Sequence, residues 1–353
     1  MPDLYDISEW NILTWVSTGG TRSKMYVQSP GGDFYFFKES EKRKVKHYKY
    51  EFWSEIIAYE LGMQLNLNML RYDIAIYNDI IGCISKSMHN PDEEELVEGG
   101  KYLQAYEPEF SPEDKDSRFL YTFQLIDEAL EAAGLDYIEN IIEIILFDAI
   151  IGNSDRHQEN WAVINKHSII AKGITEIEKA IKDNTLYKYP KPLRWIINKA
   201  YKGRDVEELK PEVSQIKAIY SQPYNFAPIY DSGSSLGREL TDDKVSEMLK
   251  NRQQLDAYIN RGTAEIYWED YETKLRHFDL VNHLLESAYN EVVIAKINQF
   301  KSNFNRNSLD ATLASIDILV PEEFNQYKIP QNRKELILTL VTLRLEKLIG
   351  LIT

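Results

Sequence analysis

The first part of the chain alternates apolar and polar positions in short runs that predict β-strands. ILTWV, KMYV and FYFFK, between residues 12 and 38, are separated by Gly19-Gly20 and by Pro30-Gly31-Gly32. Glycine supplies the positive φ angles that tight turns need, so these spacers favour hairpins. Residues 70–88 predict two more strands, joined at Asn78-Asp79.

Helical spacing of apolar residues dominates the rest of the chain. EFWSEIIAYELGM predicts a helix that begins near Glu51 and ends at Gly62, because glycine is common at helix C-termini. The acidic segment PDEEELVEGG is expected to be a mobile loop. Further helices are predicted over residues 118–133, 138–151, 174–182, 192–201, 242–261, 273–299, 309–317 and 331–350.

This order of elements indicates an α+β fold with two lobes. Residues 1–90 form the predicted strand-rich N-terminal lobe, and residues 91–353 form the larger, mainly helical C-terminal lobe. We expect the boundary between Met88 and Lys101, where the character of the sequence changes.

Composition and charge restrict the classes of function. The chain has 353 residues, of which 43% are hydrophobic, enough for two lobes with cores of their own. Its net charge of −15 repels phosphate backbones, so no direct nucleic-acid binding is expected. The single cysteine, Cys83, excludes an internal disulfide and a multi-cysteine metal site. No signal peptide or bilayer-spanning run is visible, which predicts a soluble, cytoplasmic protein without a membrane partner.

Two polar clusters carry the candidate chemistry. IGNSDRHQENWAVI follows an apolar helix and contains Asp155, His157 and Asn160, whereas FAPIYDSGSSL places Asp231 directly before a Ser-Gly turn. Phosphoryl transfer needs metal ions on the phosphate oxygens and a carboxylate that orients the attacking hydroxyl. Mg²⁺ prefers oxygen ligands. We therefore assign Asp155 as the base and Asn160 and Asp231 as metal ligands; the alternative is that Asp155 and Asn160 only cap turns.

The N-terminal part offers groups that suit ATP. STGGTRSKMYV is a Gly-rich turn whose backbone N–H groups can approach phosphates closely. Lys38 ends a predicted strand, where its cation can reach the α- and β-phosphates. Glu51 opens the next helix and is the expected partner of Lys38, as a helix glutamate is in protein kinases. Glu55, one turn later on the same face, is the alternative partner.

These motifs, in this order, resemble those of HipA-like kinases over about residues 12–260, although only the motifs match clearly. The matching residues are Gly19, Gly20, Arg22 and Lys24 of the Gly-rich loop, then Lys38, Glu51, Asp155, His157, Asn160, Tyr230 and Asp231. The resemblance implies a bilobal serine/threonine protein kinase that uses ATP and Mg²⁺, with His157 supporting the catalytic loop. The implied ATP-binding set is Gly19, Gly20, Thr21, Arg22, Lys24, Lys38 and Glu51.

The resemblance also implies partners and regulation. Such kinases are often the toxin of a toxin–antitoxin pair, so a helix-turn-helix antitoxin is an expected partner. A protein substrate is expected, for which an aminoacyl-tRNA synthetase is one possibility. Autophosphorylation is expected on a hydroxyl of the Gly-rich loop, which offers Ser17, Thr18, Thr21 and Ser23.

Several positions depart from the family pattern. Glu159 stands where many members have lysine, so stabilisation of the γ-phosphate requires that Arg156 or Lys24 compensate for the lost cation. The usual Arg-Phe-Asp-Arg segment is replaced by Ser85–Met88, and the N-terminal subdomain of full-length HipA toxins is expected to be absent. The long spacer between Asn160 and Asp231 predicts a helical insertion around residues 166–224.

Two other functions remain open. Asp155-Arg156-His157-x-x-Asn160 is also similar to the catalytic loop of phosphoinositide-type lipid kinases, although the short Gly-rich loop and Tyr-Asp-Ser-Gly favour the HipA-like pattern. A catalytically inactive kinase-fold binding module is the third interpretation. It accounts less well for the presence of both Asn160 and Asp231, since a scaffold needs no metal ligands.

Overall fold

Six short strands build the N-terminal sheet. The structure, a computed structural model, describes residues 1–17, 23–42, 48–91, 93–111, 115–166, 177, 179–189, 194, 197 and 223–353. The strands are β1 (Leu4–Asp6), β2 (Asn11–Ser17), β3 (Ser23–Gln28), β4 (Phe34–Glu39), β5 (Asp73–Tyr77) and β6 (Ile80–Lys86). They lie in the order β1-β5-β6-β4-β3-β2, with β1 parallel to β5 and the other neighbours antiparallel.

The pairing of these strands places Lys38 at a defined level of the sheet. Lys24 of β3 pairs with Lys38 of β4, and Lys38 pairs with Cys83 of β6. A Cβ atom at Gly82 would lie 2.2 Å from the carbonyl oxygen of Lys38, so glycine is needed for β6 to approach β4 here. The predicted turn at Asn78-Asp79 is confirmed, and Asn78 adopts a φ of 50° that asparagine tolerates.

Helix α1 (Glu51–Gln64) follows β4 and is buried along most of its length. The predicted end at Gly62 is wrong, since the helix continues to Gln64. A Cβ atom at Gly62 would lie 2.5 Å from the side chain of Met69. The glycine therefore provides space for packing against Met69 and does not terminate the helix.

A second sheet of three strands connects the two polar clusters. It consists of β7 (Glu94–Glu98), β8 (Ala162–Lys166) and β9 (Pro223–Phe226), antiparallel in that order. The expectation of a mobile acidic loop is therefore wrong for residues 94–98. Val97 is buried and pairs with Val163 of β8, so the short apolar core of the segment outweighs its acidic flanks.

Helices make up most of the remaining described chain. The predictions over residues 138–151 and 331–350 are confirmed, and two other predicted helices are each divided in two, one of them at the N-cap residue Asn251. The helices are α2 (Gly99–Tyr106), α3 (Phe123–Ala132), α4 (Ile138–Ile151), α5 (Asp242–Lys250), α6 (Arg252–Arg261), α7 (His277–Leu285), α8 (Asn290–Asn303), α9 (Arg306–Ser315) and α10 (Gln331–Gly350). Most of the predicted insertion at 166–224 lies outside the described residues; the described residues of its two predicted helices, 177, 179–182, 194 and 197, are helical.

The core of the helical part forms around α4, which packs against α3, α7, α8 and α10. Ten of the 14 residues of α4 are buried, including the acidic Asp148. A mixed α+β fold, with a strand-rich N-terminal sheet and a helical C-terminal part, is thus confirmed; the boundary between Met88 and Lys101 stays a prediction. In the part of the chain that the structure describes, no helix combines the length and apolar character needed to cross a membrane.

Candidate active site

Lys38 occupies the centre of a buried group of charges. Its Nζ lies 2.5 Å from Oε1 of Glu55 on α1 and 2.6 Å from Oδ1 of Asp231. Only 8% of Lys38, 1% of Glu55 and 7% of Asp231 is exposed. Away from water each of these charges needs a partner, so the ammonium group holds both carboxylates in place.

The expected pairing of Lys38 with Glu51 is wrong, and the alternative partner Glu55 takes that place. Glu51 lies one helical turn earlier, where its Oε2 accepts a hydrogen bond from the backbone N–H of Glu41 at 2.7 Å. Its Oε1 lies 3.0 Å from Nη1 of Arg238. Glu51 and Glu55 lie on the same face of α1, about 5–6 Å apart. Each therefore reaches a different partner: Arg238 for Glu51 and Lys38 for Glu55.

The backbone around Asp231 is fixed by contacts from the N-terminal part. Asp231 has a φ of 55°, and its backbone N–H donates to the hydroxyl of Tyr72 at 3.3 Å. The next N–H, that of Ser232, donates to Oε2 of Glu55 at 2.7 Å. Lys24 adds a second cation, with its Nζ 3.7 Å from Oδ2 of Asp231. Glu55 therefore binds both the lysine and the turn that carries the candidate metal ligand.

The loop that carries Asp155 and Asn160 begins at Gly152, the C-cap residue of α4, which has a left-handed φ of 69°. The Asn160 amide donates through Nδ2 to the backbone carbonyl of Asp155 at 2.6 Å, and the Asn160 N–H donates to the carbonyl of His157 at 2.8 Å. Because the NH₂ group faces the loop, the Asn160 oxygen is the atom available as a hard ligand. The Asn160 oxygen and the Asp231 carboxylate are both hard oxygen donors of the kind that Mg²⁺ prefers, and its remaining ligands in kinases are phosphates and water.

Arg156 ties the loop of Asp155 and Asn160 to α4. Its Nε and Nη2 each lie 2.9 Å from the carboxylate of Asp148, and its Nη1 donates to the backbone carbonyls of Asn160 and Tyr230. Burial alone would lower the pKa of Arg156, but Asp148 outweighs it and raises the pKa above its ordinary value. Arg156 is 1% exposed and is engaged by Asp148 and two backbone carbonyls, which disfavours it as the group that compensates for Glu159 at the γ-phosphate.

The other predicted loop residues lie nearer the surface. The His157 Nδ1 accepts weakly from the backbone N–H of Glu159 at 3.4 Å, a contact within the loop itself. The Glu159 side chain is exposed, while its carbonyl accepts from the Tyr230 hydroxyl at 2.6 Å. Lys24 is therefore the candidate for the charge that the family lysine supplies.

For the Gly-rich segment, the structure describes only the two flanking strands. Gly19, Gly20, Thr21 and Arg22 lie outside the described residues, as do the side chains of the serines on either side. Strands β2 and β3 pair antiparallel, with Ser17 opposite Ser23, so they form the hairpin that the glycines predicted. The roles of the glycines, Thr21 and Arg22, and the autophosphorylation site, stay predictions.

Ser234 and Arg238 are functional candidates that the sequence analysis missed. The Ser234 Oγ lies 3.2 Å from Oδ2 of Asp155 and 3.0 Å from Nη2 of Arg238. Arg238 also faces Glu51, so contacts run from α1 to the candidate base. The only signal in the sequence is the serine-rich run after Asp231, which is also typical of an ordinary turn.

The fold of the chain is that of a kinase. The structure matches that of a Helicobacter pylori proinflammatory kinase, CtkA, with a TM-score of 0.67 and 16% sequence identity, over 99% of this chain and 96% of that chain. A match at 16% identity establishes the fold alone, so the chemistry has to be argued from the residues of the site.

A second match supports the same fold. It is to HipA in a Shewanella oneidensis MR-1 complex with HipB and operator DNA, with a TM-score of 0.50 and 12% identity, over 98% of this chain and 68% of that chain. No protein-family model matches the sequence, and neither does any curated protein. The resemblance drawn from the motifs is thus supported by the fold.

Proposed function

We propose that this protein is an ATP- and Mg²⁺-dependent kinase that phosphorylates serine or threonine on a protein. The observation that carries the proposal is the contact of Lys38 with both Glu55 and Asp231. A kinase needs a cation for the ATP phosphates and a metal-binding carboxylate at the same place. A kinase-fold scaffold without activity has no requirement for this buried group of charges, which is costly to form.

Each residue has a separate task in the proposed reaction. Lys38, oriented by Glu55, binds the α- and β-phosphates, and Lys24 lies on the neighbouring strand close to the same carboxylate. Asn160 and Asp231 would hold Mg²⁺, which would supply neutralising charge for the phosphates. Asp155 would accept the proton of the attacking acceptor hydroxyl. The acceptor oxygen would bond to the γ-phosphorus of ATP as the bond to the β-γ bridging oxygen breaks, so that ADP leaves.

The direct test is incubation of the purified protein with γ-labelled ATP and Mg²⁺, with and without a general protein acceptor. Label on serine or threonine, abolished by EDTA and by Asp155→Ala, is the expected result. A wild-type protein that binds ATP but labels no protein would reject the kinase assignment and favour the inactive binding module.

The proposal extends to a partner through HipA. The matched HipA structure contains HipB and operator DNA. That assembly supports a helix-turn-helix antitoxin as the partner class for this chain, and a toxin–antitoxin role with it. Co-purification with the product of an adjacent reading frame of that class tests this extension separately from the chemistry.

A further inference from the structure

We propose that Ser234 is a positioning residue for the base Asp155, and that Arg238 and Glu51 hold Ser234 in place. This inference rests on the proposed kinase function and adds residues outside the motifs that indicated it. It also gives Glu51 a task other than the pairing with Lys38 that its position in the sequence suggested.

The direction of the hydrogen bonds follows from the chemistry of the three groups. A guanidinium group can only donate, and an ionised carboxylate can only accept. Because Arg238 donates to Ser234 Oγ at 3.0 Å, the single hydroxyl proton of Ser234 is directed to Oδ2 of Asp155, 3.2 Å away. Ser234 therefore fixes the orientation of the Asp155 carboxylate through Oδ2.

Burial gives this chain of contacts a fixed geometry. Ser234 is 8% exposed, and the Arg238 side chain is 12% exposed. The guanidinium lies 3.0 Å from Oε1 of Glu51, 3.6 Å from Oε2 of Glu41 and 4.3 Å from the centre of the Tyr48 ring. A planar, charged group packed on three sides has few alternative orientations, so its bond to Ser234 is well defined.

The same face of α1 reaches both halves of the site. Glu55 binds Lys38 and the N–H of Ser232, while Glu51 binds Arg238 one turn earlier. Between them, the Ser54 hydroxyl donates to the carbonyl of Ser235 at 3.1 Å. The orientation of Asp155 thus depends on the position of α1, as does the orientation of the ATP-binding lysine.

The test compares Ser234→Ala with Ser234→Thr and with a matched buried serine. Ser117, which lies away from the site, serves as the control because it is also buried, at 6% exposed. Its Oγ donates to the backbone carbonyl of Ser111 at 2.7 Å and accepts from the backbone N–H of Ser111 at 3.1 Å. We expect Ser234→Ala to lower kcat about 10- to 100-fold with the KM for ATP unchanged, since the base is misdirected while the ATP contacts remain. Ser234→Thr, which keeps the hydroxyl, should recover most of kcat, and Ser117→Ala should leave kcat unchanged.

Arg238→Gln supplies a second, independent measurement. Its kcat defect and that of Ser234→Ala should not add in the double variant, because both break the same connection. Additive defects, or a Ser234→Ala variant with wild-type kcat beside an inactive Asp155→Ala, would overturn the positioning role and leave the kinase proposal standing. Label recovered on Ser234 itself would overturn it too, by making Ser234 an acceptor. A wild-type protein that labels no acceptor removes both proposals together.

Discussion

The Nζ of Lys38 lies 2.6 Å from Oδ1 of Asp231, although 193 positions separate the two residues in the chain. The contact joins the N-terminal sheet to the turn that follows β9. Both side chains are buried, and neither charge would be stable there without the other and Glu55. The candidate ATP-binding cation and the candidate metal ligand are therefore brought together by the fold itself.

The two glutamates of α1 should have separable effects on catalysis. Glu55→Gln removes the charge that orients Lys38, and we expect the KM for ATP to rise about tenfold, the effect of losing one charge-assisted hydrogen bond. Glu51→Gln is the matched variant one turn away and should leave the KM for ATP near the wild-type value while lowering kcat. Steady-state kinetics with varied ATP separates the two, and equal KM effects would contradict the assignment of Glu55.

Removal of the base or the metal ligand should stop phosphoryl transfer. Asp155→Ala deletes the group that accepts the proton, and Asp231→Asn deletes a charged Mg²⁺ ligand, so each should reduce kcat by about a hundredfold or more. Far-UV circular dichroism should stay that of the wild type. Near-normal turnover of either variant at saturating ATP and Mg²⁺ would remove that residue from the site.

The buried pair of Arg156 and Asp148 should contribute strongly to stability. Asp148→Asn leaves the Arg156 guanidinium buried without its counter-charge, for which we expect a loss of about 3–5 kcal/mol in the free energy of unfolding. Asp256→Asn is the control, because its partner Arg252 is 66% exposed and the pair should contribute far less. Urea unfolding of the two variants measures both, and similar losses would show that burial is not the cause.

His277 should make the protein less stable in mild acid. Burial, followed by the nearby charge of Arg344, lowers the pKa of His277 from 6.5 to about 3. The unfolded chain therefore binds one more proton than the folded chain between these values, so the free energy of unfolding falls as the pH is lowered from 6.5 toward 3. Urea midpoints between pH 7 and pH 4 should drop less steeply for His277→Gln than for the wild type; parallel curves would exclude His277 as the cause.

A kinase that phosphorylates proteins and a kinase that phosphorylates lipids should differ in their binding to membranes. Lipid kinases meet an anionic membrane surface, usually through a cationic or amphipathic face. This chain carries a net charge of −15, and its acidic run from Asp92 to Glu98 adds further repulsion. We expect no sedimentation with phosphoinositide-containing vesicles at physiological salt. Vesicle binding together with transfer of label to lipid would favour the phosphoinositide-type alternative.

The sequence predicted those parts of the fold and site that depend on local pattern. The placement of Asp155 and Asn160 on one loop followed from their spacing, and α4 and α10 followed from their periodicity. The catalytic roles of the two residues stay predictions. The choice between Glu51 and Glu55 could not be made, because both lie on one helix face and only the position of α1 against the sheet decides. Arg156 contacts Tyr230 and Ser234 contacts Asp155, and more than seventy positions separate the residues of each pair. A local sequence pattern cannot predict contacts between residues so far apart in the chain.

Because β8 pairs with β9, the spacing between Asn160 and Asp231 does not depend on the number of residues that connect the two strands. Asn165 of β8 pairs with Pro223 of β9, so the chain leaves and re-enters this ladder at one end, while Asn160 and Asp231 lie beyond its other end. The entropic penalty of a longer connection grows by only about 0.6 kcal/mol for each doubling of its length. This interval is therefore a place where evolution can lengthen, shorten or exchange sequence while the geometry of the candidate site is kept.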